Sequence, residues 1–138
     1  MTEEEVYKVI AEEGAVLEEF SLTNREALSI LTPDGMFIAV DKDKIGTPEQ
    51  WIVVTMHEAG HCATGSFYTE KFPFETRRRL EERADRWAIK KLVPEDELNE
   101  AVSKGITSPW ELAEHFNVTE EFIRKAVDYY ECRSLYAV

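Results

Sequence analysis

The stretch TPEQWIVVTMHEAGHCATG, residues 47–65, reads as a single helix with both ends marked. Thr47 can cap the first turn, Pro48 suits the first helical position, and Gln50 completes a capping box. Gly65 is placed to stop the helix about four turns later. Inside it, His57-Glu58-Ala59-Gly60-His61 forms an HExxH motif that holds two of the chain's three histidines. Four residues along a helix return to the same face, so the two imidazoles stand about one turn apart and can share one Zn²⁺. Glu58 then lies beside the metal, positioned to take a proton from attacking water.

Upstream, TEEEVYKVIAEEG reads as a first helix, with Val6, Ile10 and Tyr7 on one face, acids in the first turn and Gly14 ending it. AVLEEFSL is a candidate strand. ALSIL and MFIAVD flank Thr32-Pro33-Asp34-Gly35 as a hairpin, so two or three antiparallel strands are expected, followed by a charged DKDKIG loop. Downstream, SFYTEKFPFE connects to a second long helix over about Glu75 to Leu92, closed by Pro94. Leu80, Ala84, Trp87, Ala88 and Lys91 or Leu92 make its stripe, and the two alanines let the motif helix approach closely. Two or three further helices follow. This gives one domain in three parts, residues 1–46, 47–94 and 95–138, with no repeat or linker.

At 138 residues and 43% hydrophobic content the chain can fill one core. Its longest apolar stretch, Trp51 to Met56, is too short for a bilayer, and an acidic start is unlike a signal peptide; a cytoplasmic protein is expected. Cys62 and Cys132 form no framework and suit a reducing compartment as small buried side chains. A net charge of −12 argues against direct nucleic-acid binding and agrees with a basic protein partner.

A catalytic zinc site needs a third protein ligand besides the histidines. His115 is one candidate. Glu81 is another, with Asp85 four residues on to orient an imidazole, although taken alone these residues read better as acids pairing with Arg77, Arg78, Arg79 and Arg83 on a solvated face. Tyr68 and His115 are candidates for stabilising an oxyanion.

HEAGH, followed about twenty residues later by Glu81-x-x-Ala84-Asp85-x-Trp87-Ala88 and Leu92-Val93-Pro94, resembles the ImmA/IrrE family of metallopeptidases. That family's pattern is HExGH, then ExxA(N/D)x(F/W)A and a Leu-hydrophobic-Pro ending. The likeness extends more weakly from the hairpin to the C-terminal helices and is greatest to the small forms carried by phages and mobile elements. It implies an α+β zincin-like fold, with a small N-terminal antiparallel sheet packed on a mainly helical domain. It also implies zinc on His57, His61 and Glu81, with Glu82 a rival one position away, and Glu58 as base and acid. Asp85 then stands behind a ligating imidazole. The implied activity is a zinc endopeptidase acting as an anti-repressor, its substrate a basic helix-turn-helix repressor of a phage or mobile element.

Two other readings compete. The chain could be a non-catalytic protein that sequesters a regulator. Alternatively, SPWELAEHFNVTEEFIRKAVDYY could be a DNA-binding helix-turn-helix. Against the latter, Thr107 to Val127 carries four glutamates, and the second helix begins Glu120-Glu121, where DNA readers want cations or amides.

Overall fold

The computed structural model describes residues 1–136. It is α+β: α1 (Glu3–Glu12), β1 (Ala15–Glu19), β2 (Ala27–Thr32), β3 (Gly35–Val40), α2 (Pro48–Thr64), α3 (Phe74–Leu92), α4 (Glu95–Ser103), α5 (Pro109–Phe116) and α6 (Glu120–Tyr136). Contacts divide it into two compact units, Met1–Ala88 and Ile89–Val138.

In the first unit the sheet order is β1-β3-β2. The hairpin forms as expected: β2 and β3 pair antiparallel from Ala27–Val40 to Thr32–Gly35, with Pro33 and Asp34 at the turn. Gly35 there has φ of 132°, a region that side chains disfavour. β1 corrects the all-antiparallel expectation, because it pairs with β3 in parallel, from Ala15–Met36 to Glu19–Val40, and the sheet is mixed. The physical reason lies in the connections. A two-residue turn forces neighbours to be antiparallel, whereas residues 20–26 make a loop wide enough to leave a strand's width open, and β3 fills it.

Asp41 holds that wide loop. Its carboxylate accepts from the Leu22 amide at 2.9 Å and from the Asp43 amide at 3.2 Å, and pairs with Lys44 at 2.9 Å. The Leu22 amide and the Lys44 ammonium keep the carboxyl below its ordinary range. The same side chain caps a short 3-10 turn, Lys42–Lys44, where the charged DKDKIG segment reads as plain loop.

α2 begins and ends where its sequence says it should. The Gln50 amide donates to Thr47 Oγ1 at 3.1 Å, and Gly65 closes the helix at φ 67°. The Gln50 side chain accepts from the Gly46 amide at 3.1 Å, one residue before the cap. Trp51, Ile52, Thr55, Met56, Ala59, Gly60 and Cys62 form its buried stripe. Ile52 and Met56 are fully enclosed, each contributing about 1.5–3 kcal/mol from burial. His57 and Glu58 occupy the flank of that stripe and stay half-buried. Anchored on one side by the core, they are open on the other.

In α3 the first alanine of the predicted stripe, Ala84, is fully buried. A Cβ on Gly60 would come 2.5 Å from the Ala84 carbonyl oxygen, so α2 and α3 meet backbone to backbone. No larger residue at Gly60 preserves that approach.

In the second unit α4, α5 and α6 enclose Leu98, Ala101, Leu112, Phe116, Phe122, Ile123 and Ala126. Asn117, with φ of 58°, makes the turn between α5 and α6, and the Tyr130 hydroxyl donates to the Val93 carbonyl at 2.7 Å. The first turn of α6 is acidic. Cys132 is exposed, contrary to the expectation that both cysteines are buried. It lies two residues past Tyr130, about 200° round the helix and off the buried stripe. Among the described residues no helix is long and apolar enough to cross a membrane.

Candidate metal centre

α2 supplies His57, Glu58 and His61, and α3 supplies Glu81 and Asp85. The close approach at Gly60 and Ala84 places Glu81, one turn before Ala84, opposite the two histidines. The ligand atoms of His57, His61 and Glu81 all lie within 4.8 Å of one another. His57 Nε2 is 2.6 Å from Glu81 Oε2, and His61 Nε2 is 3.3 Å from Glu81 Oε1.

Each imidazole is fixed from behind through its other nitrogen. His57 Nδ1 donates to Asp85 Oδ1 at 2.7 Å. His61 Nδ1 donates to the Ser66 carbonyl at 2.7 Å. Both Nε2 atoms therefore turn toward the shared carboxylate, the tautomer and orientation a ligating histidine needs. Two imidazole nitrogens and one carboxylate oxygen suit a borderline divalent ion such as zinc; the 3.3 Å between His61 and Glu81 is about the spacing of two ligands around a tetrahedral ion at 2.0–2.1 Å, while the 2.6 Å hydrogen bond between His57 and Glu81 has to open by about 0.7 Å to admit one. The residues fit a metal ion.

The electrostatics follow from this crowding. Burial alone lowers His57, but hydrogen bonds to Asp85 and Glu81 outweigh it and raise its pKa to about 10. For Glu81, burial pushes upward, and hydrogen bonds from His57, His61 and Tyr68 hold it far below the ordinary carboxylate range. Carboxylates crowded against the two imidazoles give the centre the negative character that suits a divalent cation. Burial first, and Glu81 next, push the Tyr68 hydroxyl up to about 12, so it stays a protonated donor.

Glu58, His61, Tyr68 and Glu81 line one open pocket together with Arg25, Leu28, Ser29, Ser66 and Phe67. The Tyr68 hydroxyl donates to Glu81 Oε1. Glu82 points elsewhere, pairing with Arg78 at 2.5 Å on the exposed face of α3. His115 is exposed on α5, edge-on to Phe116, and is not among the residues lining the pocket. Cys62 is buried, and burial pushes its thiol up to about 12.

The family model described as Peptidase_M78, IrrE N-terminal-like domain, matches residues 12–128. The chain belongs to this family. Membership in the IrrE N-terminal-like peptidases points to a hydrolase of peptide bonds and agrees with the α+β fold and with a His57-His61-Glu81 group that could hold a metal ion. Neither a curated protein nor a solved structure matches the chain.

Five pocket residues, Arg25, Leu28, Ser29, Ser66 and Phe67, escape a motif-based reading. Ser66 is fully buried and holds His61 through its carbonyl and, at 3.1 Å, its hydroxyl. Its signal is local: a left-handed glycine after a helix folds the next residue back on the last turn, and the Ser66 amide donates to the His61 carbonyl at 3.0 Å. Arg25, Leu28 and Ser29 reach the pocket only through the tertiary placement of β2, which no local pattern announces.

Proposed function

We propose that this chain is a zinc-dependent endopeptidase, with His57, His61 and Glu81 holding the ion and Glu58 as catalytic base and acid. The observation that carries the reading is the convergence of the three ligand atoms within 4.8 Å of one another, with His61 and Glu81 of that group lining a pocket that Glu58 also lines. A zinc ion held there supplies Lewis acidity toward a peptide carbonyl and toward attacking water. Glu58 takes the proton as water attacks and returns it to the leaving amine. Tyr68, protonated at neutral pH, releases its hydrogen bond to Glu81 and donates to the carbonyl oxygen as negative charge builds there. Asp85 and Ser66 keep the imidazoles aligned throughout.

β2 is an edge strand, and its Leu28 and Ser29 border the pocket. An extended substrate segment pairing with that edge lies across Glu58 by backbone hydrogen bonds alone, leaving side chains to select the sequence. The substrate is a basic, helix-turn-helix repressor of a phage or mobile element, met in the cytoplasm. The net charge of −12 favours such a partner. Zinc-loaded wild type and Glu58→Gln incubated with the repressor encoded beside it test this. Wild type cuts the repressor and Glu58→Gln, with zinc content unchanged, is slower by about 10²–10⁴. Equal cleavage by both removes Glu58 from the mechanism, and an uncut repressor removes it as substrate.

A further inference from the structure

Arg25 is the one fixed cation among the residues lining the pocket. The pocket otherwise presents the carboxylates of Glu58 and Glu81, the Tyr68 hydroxyl and the small polar Ser29 and Ser66. A divalent ion balances the two carboxylates. The Arg25 guanidinium is then the cationic group in the lining that an anionic group of a substrate would meet.

The guanidinium is available for that task. Its acidic neighbour, Glu70, stands at 3.9 Å, and the side chains are 56% and 88% exposed, so the pair is long and solvated and holds Arg25 weakly. The fork of a guanidinium matches a carboxylate with two parallel hydrogen bonds, a geometry Glu70 does not offer at that distance. Arg25 also sits two residues before Ala27, where the edge strand β2 begins. A peptide lying along β2 therefore passes Arg25 on its way across the pocket.

We propose that Arg25 is a specificity-determining residue that reads a carboxylate of the peptide substrate next to the bond to be cut. This rests on the metallopeptidase reading of the pocket. The carboxylate is an Asp or Glu side chain or a peptide C-terminus, and the chemistry of recognition is the same for both.

Three peptide hydroxamates of one backbone test it on the zinc-loaded protein by calorimetry. One carries Glu and a C-terminal amide, one Gln and an amide, and one Gln and a free C-terminal carboxylate. At least one of the two anionic compounds binds wild type ten or more times more tightly than the neutral compound, and which one does so names the source. Arg25→Ala abolishes that ratio, and Arg25→Glu inverts it. Equal binding of all three to wild type overturns the inference, as does a ratio that survives in Arg25→Ala. If none of the three binds, the metal-centre reading itself falls, and the inference with it.

Discussion

Gly60→Ala is the smallest change that pries the centre apart without touching a ligand. The new Cβ lies 2.5 Å from the Ala84 carbonyl oxygen and 3.1 Å from its carbonyl carbon and Cα, all backbone atoms of α3. Ordinary contact begins at 3.4 Å, so the two helices must part by roughly 0.9 Å. Overpacking of this kind costs about 1–3 kcal/mol, and the better helix propensity of alanine returns about 1. Stability therefore falls only modestly. Metal affinity is the sharper readout, because Glu81 and Asp85 flank Ala84 and move with it while the histidines stay on α2. Metal sites tolerate errors of about 0.2 Å, so a displacement several times larger lowers zinc affinity by about tenfold or more. Competition with a chromophoric zinc chelator measures this, beside thermal melts of both proteins. An alanine variant that binds zinc within twofold of wild type, with an unchanged melting temperature, refutes the reasoning that the Gly60–Ala84 contact sets the centre.

Asp85→Ala frees His57 Nδ1 and lets the ring turn, so zinc affinity drops about 10–100-fold in the same competition assay while Glu58 is untouched. Asp41→Asn lowers stability at neutral pH by loosening the β1–β2 loop. Because the Asp41 pKa in the fold is below its ordinary 3.8, its contribution is present above that value and is lost as pH falls through the folded one. Melting temperatures of wild type and variant should accordingly converge as the solution is acidified, and a gap that stays constant with pH would show that the carboxylate charge is not what holds the loop.

What the sequence discloses about this fold depends on how local each feature is. α2 is legible to the residue because Thr47, Pro48, Gln50 and Gly65 specify both ends from within. The Pro33-Asp34 hairpin is legible for the same reason. The parallel pairing of β1 with β3 is not, since it is fixed by what fits between two strands already separated by a wide loop. Cys132 shows the limit of composition: cysteine favours burial, but its angle on α6 decides. At the candidate site the α2 histidines follow from helical period alone. The placement of Glu81 with them, and of Glu82 away, follows from Ala84 facing Gly60: Glu81 is nearly one turn before that contact, and Glu82 is turned about 100° further round toward Arg78. Ser66 has a local signal in Gly65, whereas Arg25 needed the fold.

The central claim, that two histidines and one carboxylate of this chain hold a zinc ion, is tested most directly by zinc K-edge X-ray absorption on protein loaded with one equivalent of zinc. The account predicts two imidazoles and light oxygen scatterers at about 2.0–2.1 Å, with no sulfur, since neither Cys62 nor Cys132 belongs to the ligand group. A sulfur shell at about 2.3 Å, or a spectrum of hydrated zinc without imidazole, would contradict it.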